Sequence, residues 1–245
     1  MANHHLTREG DITGTLGSLP KVHHLEFLEM LMESGLNFRV GKREVISEYL
    51  SLRTKVDSNR LEYEQRLTQT ATRDDLTGLL NRKTAGELMK SAMQLAERQA
   101  LPVAVGMFDL DHFKDYNDNH GGHPAGDKIL VSFAGLLNSH FRGYDVAARF
   151  GGEEFFVLAY GMPSEVLKTR LQGLSSSLYA KSLELNPKRG VTFSSGFVHG
   201  PNYGDLDSQV KSADELLYQV KESDGRDGVR IATPNETRLI KFGNI

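Results

Sequence analysis

Two acidic clusters stand where charge is costliest. Val103 to Phe108 is an unbroken apolar run that ends directly in Asp109-Leu110-Asp111. Further on, Gly151-Gly152 separates two strand-like stretches, and Glu153-Glu154 follows at once. Carboxylates beside such runs lose hydration unless they gain a partner or a ligand. One at a strand end and one on a hairpin tip can meet across a sheet edge. Oxygen donors with no cysteine among them suit a hard cation, Mg²⁺ or Mn²⁺, which typically bridges substrate phosphates. A DxD sequence alone is weak evidence, because most such pairs are solvated acids or helix caps. Asp111 reads equally well as the cap of a short helix beginning at His112, whose free backbone N–H groups favour a phosphate. A third cluster, Arg142-Gly143-Tyr144-Asp145, has the RxxD spacing of an ordinary surface ion pair. His4, His5, His23 and His24 lack carboxylates at ligand spacing and read as surface histidines.

These residues need elements to hold them. Residues 1–20 carry little periodicity and read as a flexible arm. Val22 to Leu36 is amphipathic, with Leu25, Leu28, Leu31 and Met32 on one side. A longer helix is predicted from about Lys42 to Thr72. Its Val45, Tyr49, Leu52, Val56, Tyr63 and Thr70 follow a heptad-like seam, interrupted by Asn59 and Arg66. The seam serves either a short parallel stalk with a second copy or packing on the chain's own domain. Beyond Arg73 the pattern predicts helices at 83–99, 129–141, 163–180 and 207–223. Strands are predicted at 103–108, 145–150, 155–160, 190–198 and 228–232. The continuous 103–108 run suits a strand buried on both faces, and Gly151-Gly152 suits a tight hairpin. Strands interleaved with helices give an α/β or α+β sheet with helices packed on it.

Composition narrows the class. Lys and Arg number 29 against 32 Asp and Glu, a formal charge of −3. That balance argues against nucleic acid or an anionic membrane as a partner held by bulk charge. The absence of cysteine excludes a disulfide framework, a thiolate nucleophile and Cys-ligated metal. No apolar run approaches the roughly 18–20 residues of a membrane helix, and the first twenty residues carry no secretory h-region. The expectation is a soluble, cytoplasmic protein.

The acidic clusters also belong to a longer pattern. Asp109-Leu110-Asp111-His112-Phe113-Lys114, Asn117-Asp118, His123, Gly126-Asp127 and Arg149-Phe150-Gly151-Gly152-Glu153-Glu154-Phe155 resemble the GGDEF family of diguanylate cyclases. So does the upstream Asp75-Leu76-Thr77-Gly78-Leu79-Leu80-Asn81-Arg82. The motifs stand in order over about residues 73–232, leaving residues 1–70 uncovered. The resemblance implies an α+β fold similar to nucleotide cyclases and polymerase palm domains, a central sheet flanked by helices after an N-terminal helical stalk. The implied division is an arm at 1–20, a stalk or small regulatory region at 21–72, the GGDEF domain at 73–235 and a tail at 236–245.

The implied reaction joins two GTP molecules into cyclic di-GMP and releases two pyrophosphates, with two domains facing each other in a homodimer. By position, Asp109, the Leu110 carbonyl and Glu153 hold Mg²⁺ (or Mn²⁺), and Glu154 assists the metal or the turn. Glu153 is also the candidate base for the attacking hydroxyl, and Lys114 the lysine that stabilises the transition state on the polyphosphate. Lys221 and Arg226 match a pair that grips the terminal phosphates, spaced by five residues where the family usually has four. His112 and Phe113 open the phosphate-facing helix. Asn117 and Asp127 match the guanine readers, since a carboxylate accepts from guanine N1–H and its amine, and His123 is a structural or modest nucleotide contact. The Asn117–His123 loop is one residue longer than usual. Arg142 and Asp145, at the family's distance from Gly151, match its inhibitory product site, with Arg170 as a supplementary arginine.

Two further readings stay open from sequence. One is a catalytically silent domain that binds GTP or cyclic di-GMP and signals by contact. The other is a metal-dependent nucleotidyl cyclase with another purine product. Residues 1–70 are left for an unidentified regulatory partner or stimulus.

Overall fold

The computed structural model describes residues 42–201 and 205–243. The chain divides into two units, Met1–Gln69 and Thr70–Ile245. The expected arm and the Val22–Leu36 helix lie outside the described residues. Helix α1 (Lys42–Thr72) supplies what is described of the first unit. Its Leu50, Val56, Leu61 and Tyr63 are exposed, while Arg60 and Glu64 pair at 2.9 Å one turn apart.

The second unit is one mixed sheet between two helical layers. Its elements are β1 (Leu80–Asn81), α2 (Arg82–Arg98), β2 (Val103–Leu110), α3 (Phe113–Asn119), α4 (His123–His140), β3 (Val146–Gly151), β4 (Glu154–Tyr160), α5 (Ser164–Leu185), β5 (Phe193–Gly200), α6 (Leu206–Glu222), β6 (Gly228–Ala232) and β7 (Thr237–Lys241). The seven strands lie in the order β1-β3-β4-β2-β5-β6-β7. Strands β2–β4, β2–β5, β3–β4 and β6–β7 pair antiparallel, whereas β1–β3 and β5–β6 pair parallel. The α+β architecture matches the sequence expectation.

The period-two alternation of strands divides the core in two. Ala104, Phe108 and Leu110 of β2 face one layer with Phe155 and Val157 of β4, against Phe133 of α4 and Leu171 of α5. Val103, Val105 and Met107 face the other with Phe156 and Leu158, against Met89 of α2 and Leu217 of α6. Every residue of β2 is buried, as its unbroken apolar run requires. Helix starts are set by local chemistry. Asn81 accepts from the Thr84 amide at 3.0 Å to open α2, and Asp205 accepts from the Ser208 amide at 2.8 Å to open α6.

Helix α4 begins at His123 rather than near 129, α5 runs to Leu185 rather than 180, and two edge strands also differ from the sequence reading. The stretch taken as a tail contains β7, which pairs along the whole of β6 from Gly228↔Lys241 to Ala232↔Thr237. Its adjacent apolar residues, Leu239 and Ile240, give no alternation; the open edge of β6 makes the strand. Strand β1 is likewise a short edge piece formed by pairing with Ala148 and Arg149. Among the described residues no helix is long and apolar enough to cross a membrane.

Candidate active site

The β2–β4 register brings the two acidic clusters to one end of the sheet. Asp109 stands opposite Glu154, and the Leu110 amide donates to the Glu153 carbonyl at 3.4 Å. The hairpin that carries Glu153 turns at Gly151 and Gly152, with φ of 150° and 52°, values that side-chain-bearing residues rarely adopt. Arg149 locks this turn: its Nε and Nη2 donate to the Gly152 carbonyl at 3.0 and 2.7 Å. Its Nη1 reaches the Asp74 carboxylate at 3.1 Å. Asp74 also accepts from the Thr77 amide and hydroxyl, so the entry turn at 74–78 and the hairpin tip are braced as one piece.

Electrostatics separate the roles of these acids. Asp109 is buried, and burial pushes its carboxyl up, although the Lys221 ammonium beside it opposes that. Lys221 Nζ, on the last turn of α6, lies 3.0 Å from Asp109 Oδ2. Glu153 is also pushed up, by burial first and then by the negative charge of Asp109. Two neighbouring carboxylates that each disfavour ionisation are what a bound cation relieves. Among the described residues no three His, Cys, Asp or Glu side chains converge as a ready cage. The Asp109 and Glu153 carboxylates and nearby backbone carbonyls are hard oxygen donors that could hold a divalent cation shared with substrate oxygens. Glu154 stays exposed at the start of β4.

Asp111 is not the cap of α3. That position belongs to His112, in the left-handed region at φ 54° and with no side-chain cap bond. Asp111 turns inward instead. It accepts from the Thr192 and Ser194 hydroxyls, each at 2.7 Å, and from the Asp227 amide at 3.1 Å. The reason is burial: a carboxylate in the core needs several donors, and β5 and the α6–β6 turn supply them. Arg226 Nη1 lies 3.8 Å from Asp111 Oδ1. The extra residue between Lys221 and Arg226 is absorbed in a turn where Gly225, Arg226 and Asp227 all take positive φ, at 74°, 63° and 48°. Both cations still face the two aspartates.

Helices α3 and α4 hold the other candidates. Lys114 is exposed on the first turn of α3, whereas the Phe113 side chain is buried in the core, leaving only its backbone for a ligand. His112 is exposed, 3.6 Å from Asp115. Asn117 packs against Gly126, where an added Cβ would fall 2.0 Å from Asn117 Oδ1. That oxygen is buried without a hydrogen-bond partner. Asp127 follows Gly126 and is exposed, as is His123, so Asp127 stands one residue beyond the Asn117 contact. The long loop passes through Gly121 and Gly122 at φ 110° and 70°.

Arg142 and Asp145 form a compact turn before β3. The Arg142 amide donates to Asp145 Oδ2 at 2.7 Å, and Arg142 Nη1 donates to the Tyr144 hydroxyl at 2.5 Å. Asp145 Oδ1 is buried without a partner, and burial pushes this carboxyl up against the opposing influence of Arg142 and Arg170. Arg170 itself donates to the His140 carbonyl. Sequence reasoning assigned no role to Asp74, Arg149, Thr192 or Ser194. Their pairings span 75 to 83 residues, a separation at which no local pattern signals contact.

Comparison with known proteins identifies the family and relatives of this chain. The family described as diguanylate cyclase, GGDEF domain, matches residues 71–227. A probable diguanylate cyclase of Escherichia coli, DgcC, is 32% identical over 172 residues, which cover 70% of this chain and 46% of the relative. The chain therefore spans about half the length of that relative. Among solved structures, the coiled coil and GGDEF domain of DgcB from Caulobacter crescentus, in complex with c-di-GMP, aligns with a TM-score of 0.64 at 28% identity, covering 76% of this chain and 99% of that one. The diguanylate cyclase SiaD of Pseudomonas aeruginosa, solved in complex with its activator SiaC, aligns with a TM-score of 0.59 at 25% identity, covering 90% of this chain and 82% of that one. With the family match running from the last two residues of α1 to the turn that carries Arg226, the chain belongs to the GGDEF domain family.

Proposed function

We propose that the chain is a diguanylate cyclase that condenses two GTP molecules into cyclic di-GMP and two pyrophosphates. The observation that carries this reading is the meeting of Asp109, Glu153 and Lys221 at the end of β2, within a chain of this family. Asp109, the Leu110 carbonyl and Glu153 would hold a divalent cation, Mg²⁺ or Mn²⁺, and Glu154 supports the hairpin. When bound, the cation supplies Lewis-acid polarisation of the α-phosphate and neutralises developing charge. Lys221 and Arg226 grip the terminal phosphates, and Lys114 stabilises the charge passing to the leaving pyrophosphate. Asn117 and Asp127 read the guanine edge. Each GTP offers its 3′-hydroxyl oxygen to the α-phosphorus of the other, and the hydroxyl proton passes to Glu153 or solvent. The bond to pyrophosphate breaks twice per product. Because one domain holds one GTP, the active form is a homodimer.

Arg142, Asp145 and Arg170 form the site at which the product inhibits. The solved complexes of relatives with c-di-GMP and with an activator support a product site and a regulatory partner for this chain. The test is separation of nucleotides after incubation with GTP, ATP or both in the presence of Mg²⁺. Cyclic di-GMP formed from GTP alone is expected. GTP bound but unconsumed would assign a silent effector, and a mixed or adenine product would assign a different nucleotidyl cyclase.

A further inference from the structure

Arg226 and Asp227 are adjacent non-glycine residues with left-handed backbone. Such residues persist only where the surroundings over-determine them. Two holds come from within the sheet and α6: the Arg226 amide donates to the Val220 carbonyl at 3.0 Å, and the Asp227 amide to Asp111 at 3.1 Å. Further holds come from the end of β7. Lys241 Nζ donates to the Asp224 carbonyl at 3.0 Å and to the Arg226 carbonyl. The Phe242 amide donates to the Asp227 carbonyl at 3.0 Å, and the Phe242 ring rests 5.2 Å from Phe193. The fit is close, since a Cβ on Gly228 would meet the Ile240 carbonyl at 2.8 Å. The carbonyls of Asp224, Arg226 and Asp227 are thus all taken by two residues that lie beyond the family match at 71–227.

From this we infer that the carboxy-terminal strand β7, through Lys241 and the Phe242 backbone, is a positioning element for Arg226. It clamps the 224–227 turn from outside while Asp111 clamps it from inside, and so places the guanidinium for the anionic end of the substrate. The inference rests on the phosphate-gripping role of Arg226 proposed above. Lys241 touches no reacting atom; it acts through the turn.

The test is steady-state kinetics on the full chain at saturating Mg²⁺, using initial rates with GTP. Lys241→Met should raise KM for GTP about three- to tenfold and change kcat by less than about twofold. Lys241→Arg, which keeps a donor to both carbonyls, should restore most of the affinity. Arg226→Ala should raise KM as well, and the double variant should be no worse than Arg226→Ala alone, because a clamp has nothing left to position. Lys241→Met with wild-type KM beside a defective Arg226→Ala would overturn the clamp alone. So would two effects that multiply independently. Arg226→Ala with unchanged KM would overturn the phosphate role and the clamp together.

Discussion

At Glu153, burial and the neighbouring charge of Asp109 both favour the neutral acid, yet a cation needs the carboxylate. Glu153→Gln keeps the size and removes the charge, so turnover should fall at least ~10²-fold, the scale of losing a key electrostatic stabiliser. The metal-free variant should melt no lower than wild type. A carboxyl raised in the folded state costs nothing below its unfolded pKa, and its destabilising contribution grows as pH rises through the folded value. Removing the charge removes that cost, which thermal melting at neutral pH would reveal as an unchanged or higher midpoint. Protons should also compete with the cation above the ordinary carboxylate range. Divalent-ion titrations at increasing pH should show affinity rising with pH, and this dependence should be shallower in Glu153→Gln, with Asp109 still contributing. Asp109 and Glu153 were legible because a charge at the end of an apolar run is an anomaly. Asp111 was not, because its partners Thr192 and Ser194 stand 81 and 83 residues away, and nothing local distinguishes an inward aspartate from a cap.

Elements set where those residues meet, and β5 with α6 shows how closely. A Cβ on Gly196 of β5 would lie 2.1 Å from the Ala213 carbonyl and 2.4 Å from the Leu217 nitrogen. Backbone cannot rotate aside as a side chain can, so α6 must lift from the sheet, and α6 carries Lys221. Gly196→Ala should therefore cost about 1–3 kcal/mol of stability, as overpacking does. It should also weaken GTP binding, checked by chemical denaturation and by initial-rate KM. Long elements were legible for physical reasons: β2 needs apolar residues on both faces, and α2 and α6 show one apolar stripe each. Strands β1 and β7 were not, since short edge strands owe their conformation to a partner's open edge rather than to their own pattern. The same reasoning explains why the clamp on Arg226 is invisible before the fold is known: Lys241 meets the Arg226 carbonyl only once β7 has paired with β6.

The proposed reaction needs two whole molecules, since each site offers one hydroxyl and one phosphate. Val56 and Tyr63, seven residues apart on α1, are exposed, the spacing of a seam for a second copy. Val56→Glu would place like charges against each other there, so specific activity should fall at low protein concentration and recover at high concentration, where the stalk's effective-concentration advantage no longer matters. Activity unaffected by dilution in both proteins would remove the stalk role. The same requirement gives the product a way to stop its own synthesis. If cyclic di-GMP at Arg142 and Asp145 favours an arrangement in which the two GTP sites cannot meet, inhibition follows without any contact with Asp109 or Glu153. Arg142 now holds the Tyr144 hydroxyl and stands 5.5 Å over that ring, so a guanine edge must compete with Tyr144 for the guanidinium. Arg142→Ala should weaken product binding by ~1–3 kcal/mol, the range for one bidentate base contact, measured by titration calorimetry. Its progress curves should stay linear well after the wild type slows, and curves that bend alike at equal product concentration would reduce this turn to a surface ion pair.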